Sequence, residues 1–497
     1  MQCHDPRIAP NRSASLDLLE WSCIATRMLL SPILDRFAKR APVSVMVRAS
    51  LEYALAPEAL DALFRDTAES QEEKTLLFSS VVDLMGLVVA RVQPSLHAAY
   101  QSVSDTLPVS ITSVYNKING TEAAVSAALV AHSAKRLRPV IEAMNPGLSP
   151  WLPGYRVRVL DGNHLTSTER RLDVLRECSA GPLPGHSLVI LEPDVQLATH
   201  MIPCEDAHAQ ERSLTPEVLA LVEAGDCWIA DRNFCTAALL YGIATRHAFF
   251  AIRHHAKLRI ISSGTLRRRG RTETGEVLEQ KVTLEDETGT RLEVRRIVMR
   301  LDAPTRDGAM ELAVLTNVPS SDASAVAIAE LYRKRWTLET MFFELTQMLD
   351  GELNTMGYPR AALLGFGIAL VSYNLVSTAK NALRAAFGST KVDEEVSSYY
   401  LANEARAMHE GLDLVTDPED WQPFQTMPAE QLAKELVGLA RNVRLPAFKR
   451  HKRGPKKPVP KRTKHTDTPH VSTAKLLTRA RGKGSRMGKS IDSILEK

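Results

Sequence analysis

Two aspartates and one polar stripe on a predicted helix are the residues whose types and spacing suit chemistry in this chain. Asp161 closes the alternating run Val157-Arg-Val-Leu-Asp161 and opens Asp-Gly-Asn; Asp231 closes Cys227-Trp-Ile-Ala-Asp231 and opens Asp-Arg-Asn-Phe. An apolar strand that stops at an aspartate and a polar turn places the carboxylate at a sheet rim, where ligands bind. Each also has an ordinary reading, because strand-end aspartates initiate turns. Tyr332, Arg335, Glu339 and Thr346 fall within an arc of about 60° on a predicted helix over 323–350. The apolar set Leu331, Leu338, Met341, Phe342, Leu345 and Leu349 gathers on an adjacent arc. A stripe of phenol, guanidinium and carboxylate differs from the mixed Lys and Glu of a solvated face. Three carboxylates offer oxygen ligands only, which suits Mg²⁺ or Mn²⁺ rather than zinc.

The elements that must position these residues are legible in outline. From about 43 to 144 the apolar spacing is helical, punctuated by Pro94, Pro108 and Gly120. Residues 109–120 read either as the second helix of a helix-turn-helix or as an ordinary small helix of a bundle. After the turn-rich stretch 145–150 the pattern becomes strand-like at 156–160, 187–191 and 227–229. A β-rich stretch follows over 249–302, then one more strand at 310–316 before helices resume. This order predicts an α/β fold with a mixed-sheet core, a β-rich insertion and an α-helical N-terminal domain. The expected divisions are 1–149, helical and holding the candidate helix-turn-helix; 150–390, the core, interrupted by the insertion at 246–307; 391–445, C-terminal helices; and 446–497, a basic tail. The tail combines proline with lysine and arginine and is expected to be disordered until it meets a partner.

These motifs carry a resemblance. Tyr332-x-x-Arg335-x-x-x-Glu339 is similar to the Y-x2-R-x3-E-x6-K signature of insertion sequence family four, a group of bacterial DDE transposases. Asp-Gly-Asn at 161–163 and Asp-Arg-Asn-Phe at 231–234 resemble that family's two aspartate motifs, and the β-rich stretch matches the insertion between its second and third carboxylates. The final lysine of the signature is Thr346 here, so a phosphate contact made by that lysine is absent or comes from elsewhere. The resemblance implies an RNase H-like core. It also implies Asp161, Asp231 and Glu339 as catalytic, metal-binding residues for two Mg²⁺ ions, with Mn²⁺ as a substitute. Arg335 would grip a phosphate with its planar fork, and Tyr332 would hydrogen-bond another phosphate oxygen. Trp336 matches an aromatic that holds a flipped base, although a buried core tryptophan is an equal reading. The implied substrates are double-stranded DNA at element ends and in the target, and the implied assembly is a synaptic homodimer.

Composition narrows the alternatives. The chain is 44% hydrophobic and 24% charged, as in soluble globular proteins. Its net charge of +4 hides an asymmetry: 441–489 carries seventeen Lys and Arg against one acid, Asp467, leaving the preceding region net acidic by about eleven charges. Lys257, Arg259, Arg267, Arg268, Arg269 and Arg271 form a second basic region within the insertion. Six scattered cysteines without a Cys-x-x-Cys pair fit a reduced compartment and support neither zinc nor a disulfide framework. His164 and the pair His254-His255 lack metal-ligand spacing. No phosphate-cradling glycine loop suggests ATP dependence. The most apolar stretch, 361–376, reads as a buried helix rather than a membrane span, and the N-terminus lacks the pattern of a secretion signal. A cytoplasmic, nucleoid-associated bacterial enzyme is the expectation. Two other readings are a nuclease of the same fold without strand transfer, and a DNA-binding protein derived from an inactive transposase.

Overall fold

The structure is a computed structural model that describes residues 31–305, 308–335, 341–342, 348–451 and 469–481. Its centre is a ten-stranded sheet of order β4-β3-β1-β5-β6-β11-β10-β9-β7, with β8 paired to β9. The strands are β1 (Arg156–His164), β2 (Gly181–Leu183), β3 (His186–Glu192), β4 (Leu197–Cys204), β5 (Asp226–Ala230), β6 (Phe249–Arg253), β7 (Ile260–Ser263), β8 (Arg267–Thr272), β9 (Gly275–Glu285), β10 (Arg291–Leu301), β11 (Glu311–Thr316) and β12 (His470–Ser472). β4, β3 and β1 are mutually antiparallel, while β5 lies parallel to β1 and β6 parallel to β5. The sheet then continues antiparallel through β11, β10 and β9. The mixed α/β class expected from the sequence is what the chain adopts.

Helices from Pro32–Arg40 to Ala123–Met144 precede the sheet. The predicted helix at 109–120 is Ile111–Gly120, started by the Ser110 hydroxyl, which accepts from the Ser113 amide. Its Lys117 is turned inward, with Nζ 3.8 Å from the Phe64 ring centroid and bonded to the Glu72 carbonyl. The apolar stretch at 361–376 belongs to Pro359–Phe387, the one helix among the described residues long and apolar enough to cross a membrane. It is buried against Ala123–Met144 and β4. Asn374 ties these three together. Its side chain accepts from the Ala198 amide at 2.9 Å and donates to the Ala198 carbonyl at 2.9 Å and to Ser133 Oγ at 3.1 Å. The outer edge of β4 is thereby satisfied by a helix instead of being left open to other strands.

Two expectations need correction. The helix predicted over 323–350 is not continuous: Ala325–Arg333 ends where the Lys334 amide is shared between the carbonyls of Glu330 and Leu331, and the Arg335 amide closes a tighter turn on Tyr332. Tyr332 therefore stands in the last turn and Arg335 just beyond it. The tail at 446–497, expected to lack structure of its own, contains two packed pieces. Phe448 is buried, and Arg450 donates its amide to the Glu395 carbonyl. Farther on, β12 pairs in parallel with β2, Ser472 and Thr473 are fully buried, and Lys475 lies 3.0 Å from Asp206. Basic composition permits this because the small β2 edge supplies backbone partners that need no apolar run.

Candidate active site

The site forms where the pairing of the central strands stops. β1 and β5 run in register from Arg156↔Asp226 to Leu160↔Ala230, so Asp161 and Asp231 come next on neighbouring strands; such strands lie about 4.8 Å apart. Asp231 follows the end of β5 and begins the short turn Arg232–Phe234. Asp161 does not end its strand as the sequence suggests. β1 continues to His164 because β3 still pairs with it, from Asp161↔Val189 to His164↔His186, after β5 has turned away. β6 adds a third position, since Ala230↔Ile252 makes Arg253 the next residue in the row.

Alternation fixes which way this row faces. Leu160, Ala230 and Ile252 pack into one core layer, and Val159, Ile229 and Ala251 into the other. Asp161, Asp231 and Arg253 are one step further and return to the second of these layers. That layer also holds Ala325, Ile328 and Tyr332 of the helix that leads to Arg335. A buried arginine braces this approach: Arg295 on β10 pairs with Glu279 at 2.6 Å and donates to the carbonyls of Val318 and Ala323 at 2.9 Å each.

The charges interlock. Arg335 Nη1 donates to Asp161 Oδ2 at 2.6 Å, and Arg253 Nη1 lies 4.0 Å from Asp231 Oδ1. Tyr332 is buried beside them. Burial pushes its phenol up to about 12, with Arg335 acting against the shift and Asp231 reinforcing it. The phenol thus keeps its proton at neutral pH and is available as a donor. Asp231 Oδ1 is buried and accepts no hydrogen bond among the described residues. A buried carboxylate oxygen left open, beside a second carboxylate and with no sulfur or imidazole in the row, fits a hard divalent cation.

The two aspartate motifs are also linked to each other. Glu211 Oε2 accepts from Asn233 Nδ2 at 2.6 Å, and its Oε1 lies 3.8 Å from His164 Nδ1. The same carboxylate rests over Gly162, where a Cβ would come within 1.9 Å of Oε1. Glycine in Asp-Gly-Asn leaves room for this bridge. Asn163 Nδ2 reaches Glu352 Oε1 at 3.3 Å, and His164 stacks on His186 with ring centroids 5.0 Å apart. At the opposite end of β1 the charges serve the fold. Arg158 and Asp226 are both buried and 3.1 Å apart. Burial works against the Glu192 carboxylate, but Arg156 and Arg138 hold it below the usual carboxylate range.

Of the residues singled out from sequence, Asp161, Asp231, Tyr332 and Arg335 converge. Glu339, Trp336 and Thr346 lie outside the described residues. Among the described residues, no group of three His, Cys, Asp or Glu side chains could hold a metal ion. Sequence reasoning missed Arg253 and Glu211. Arg253 had only the signal of a cation ending an apolar strand; Glu211 sits in a loop and had none.

No curated protein matches the chain significantly. Residues 190–375 match the family described as Transposase DDE domain, a span that begins within β3 after Asp161 and takes in Asp231 and position 339, and this match supports a DDE transposase whose substrate is DNA.

Proposed function

We propose that the protein is a transposase of the insertion sequence family four type that cuts DNA at element ends and joins those ends to target DNA. The observation that carries this reading is the register of β1 and β5, which brings Asp161 and Asp231 side by side with Arg335 against the first. The core order of three antiparallel strands followed by two parallel ones supports an RNase H-like fold. Asp161, Asp231 and Glu339 would hold two Mg²⁺ ions, or Mn²⁺. Bound there, such ions activate a water or 3′-hydroxyl and stabilise the leaving oxygen of a phosphodiester. The chain's own groups orient the strand: Arg335 and Arg253 offer planar forks to phosphate oxygens, Tyr332 donates from a phenol that stays protonated, and Trp336 would stack on a base. The helical segment 1–149 would bind ends, with the core at 150–390 including β6, the insertion running from the end of β6 to 307 instead of from 246, helices at 391–445 and the tail at 446–497 completing the chain. A homodimer would bring two ends together without ATP, in the bacterial cytoplasm at the nucleoid.

The test is a cleavage and joining assay in Mg²⁺ with DNA carrying the element's terminal repeats and a target plasmid. Asp161→Asn and Asp231→Asn are expected to slow cleavage by at least about 100-fold, roughly 2.7 kcal/mol of barrier, while keeping the fold. Cleavage at the parental rate in either variant rejects the site. Cleavage without joined products rejects the transposase in favour of a nuclease.

A further inference from the structure

Beside Asp231, where β6 leaves the core and the β-rich region begins, lies a pocket of about 370 Å³, within the size range of small-ligand pockets. Arg232, Arg253, His254, His255, Arg296 and Glu311 supply its polar lining. Three guanidiniums against one carboxylate leave the pocket positively charged. Arg296 lies 3.6 Å from Glu311, yet its Nε is buried without a hydrogen-bond acceptor among the described residues, as is His254 Nε2 without a partner. A buried guanidinium N–H such as Arg296 Nε ordinarily finds an acceptor. A pocket lined by three guanidiniums suits an anion rich in acceptor oxygens, and arginine forks match phosphate best. Arg253 belongs both to this pocket and to the row of Asp161 and Asp231, so the pocket adjoins the two aspartates.

We infer that this pocket binds a DNA backbone phosphate neighbouring the one that is cut, with Arg296 as its deepest cation and Glu311 as the group that moderates its affinity. This rests on the proposed function and adds a subsite to it. The insertion thereby gains a specific role, because Arg296 stands on β10 while Arg253 and His254 come from the end of β6.

The test uses the full chain and a fluorescein-labelled DNA duplex of fixed sequence, with EDTA to prevent cutting. Anisotropy is read from 50 to 300 mM KCl. Arg296→Gln is expected to weaken binding about tenfold and lower the slope of log affinity against log salt by about 0.9, the loss of one phosphate contact. Glu311→Gln is expected to tighten binding several-fold, a change that misfolding would not produce. Affinities and slopes within twofold and 0.3 of the parent for both variants, or weaker binding by Glu311→Gln, overturn the inference. Parallel cleavage assays separate the two failures. If the parent cuts DNA while the pocket variants bind normally, the subsite alone is wrong; if the parent neither binds nor cuts, the proposed function falls as well.

Discussion

Arg335 neutralises Asp161 in the free chain, and the proposed function also gives it a DNA phosphate to hold. Its Nη1 is 2.6 Å from Asp161 Oδ2, and the side chain is almost wholly buried. A point charge on a flexible stem does not reproduce a fork held in that position. Arg335→Lys is therefore expected to lose at least about tenfold in cleavage rate, and Arg335→Ala about 100-fold. A lysine variant as fast as the parent would show that charge alone matters. The residues of this site were legible to different degrees. Asp161 and Asp231 stand out because each interrupts an apolar run at a polar turn. Arg253 becomes meaningful only through register, since nothing in Phe-Phe-Ala-Ile-Arg states that its last residue will stand beside Asp231. Glu211 is invisible in sequence because its partners, Gly162, His164 and Asn233, are remote and reach it only through the fold.

The elements carry a second consequence, on β4. His200 is half-buried there beside Arg158, and burial together with that charge lowers its imidazole to about 4. A folded-state value below the ordinary 6.5 means that the unfolded chain binds more protons between pH 6.5 and 4. Stability therefore rises with pH across that window and is lost as pH falls through it. From pH 7 to 4.5 the unfolding free energy of the parent should drop by about 2–3 kcal/mol more than that of His200→Gln, read by urea denaturation. Equal slopes for the two proteins would remove His200 from the account. The strands β3, β9, β10 and β11 are readable in the sequence because each alternates or is continuously apolar over several residues. The break after Arg333 is not, because the apolar spacing runs on across it and only the sharing of the Lys334 amide marks the turn. β12 is three residues long and has no period to detect; its pairing with β2 is a matter of tertiary fit.

Across the whole molecule, charge is divided between an acidic body and a basic C-terminal region, and the structure refines where free positive charge resides. The β8 arginines of the insertion are largely compensated: Arg268 pairs with Glu276 at 2.8 Å, Arg269 with Glu279 at 2.7 Å and Arg271 with Asp302 at 2.5 Å. Residues 452–468 carry seventeen positions with seven Lys and Arg against Asp467, and the chain is held to the body on both sides of them, at Arg450 and at β12. Replacing 452–468 with an uncharged Gly-Ser segment of equal length should flatten the salt dependence of DNA binding by up to about six in log–log slope and weaken all sequences alike. An unchanged slope would make this segment a spacer. If acidic side chains from three distant segments share divalent ions, Mn²⁺ titration of the full-length protein followed by electron paramagnetic resonance will read that sharing. Saturable binding should weaken at least about tenfold in each of Asp161→Asn, Asp231→Asn and Glu339→Gln; Mn²⁺ affinity unchanged by any one of these substitutions would remove that residue from the ion site.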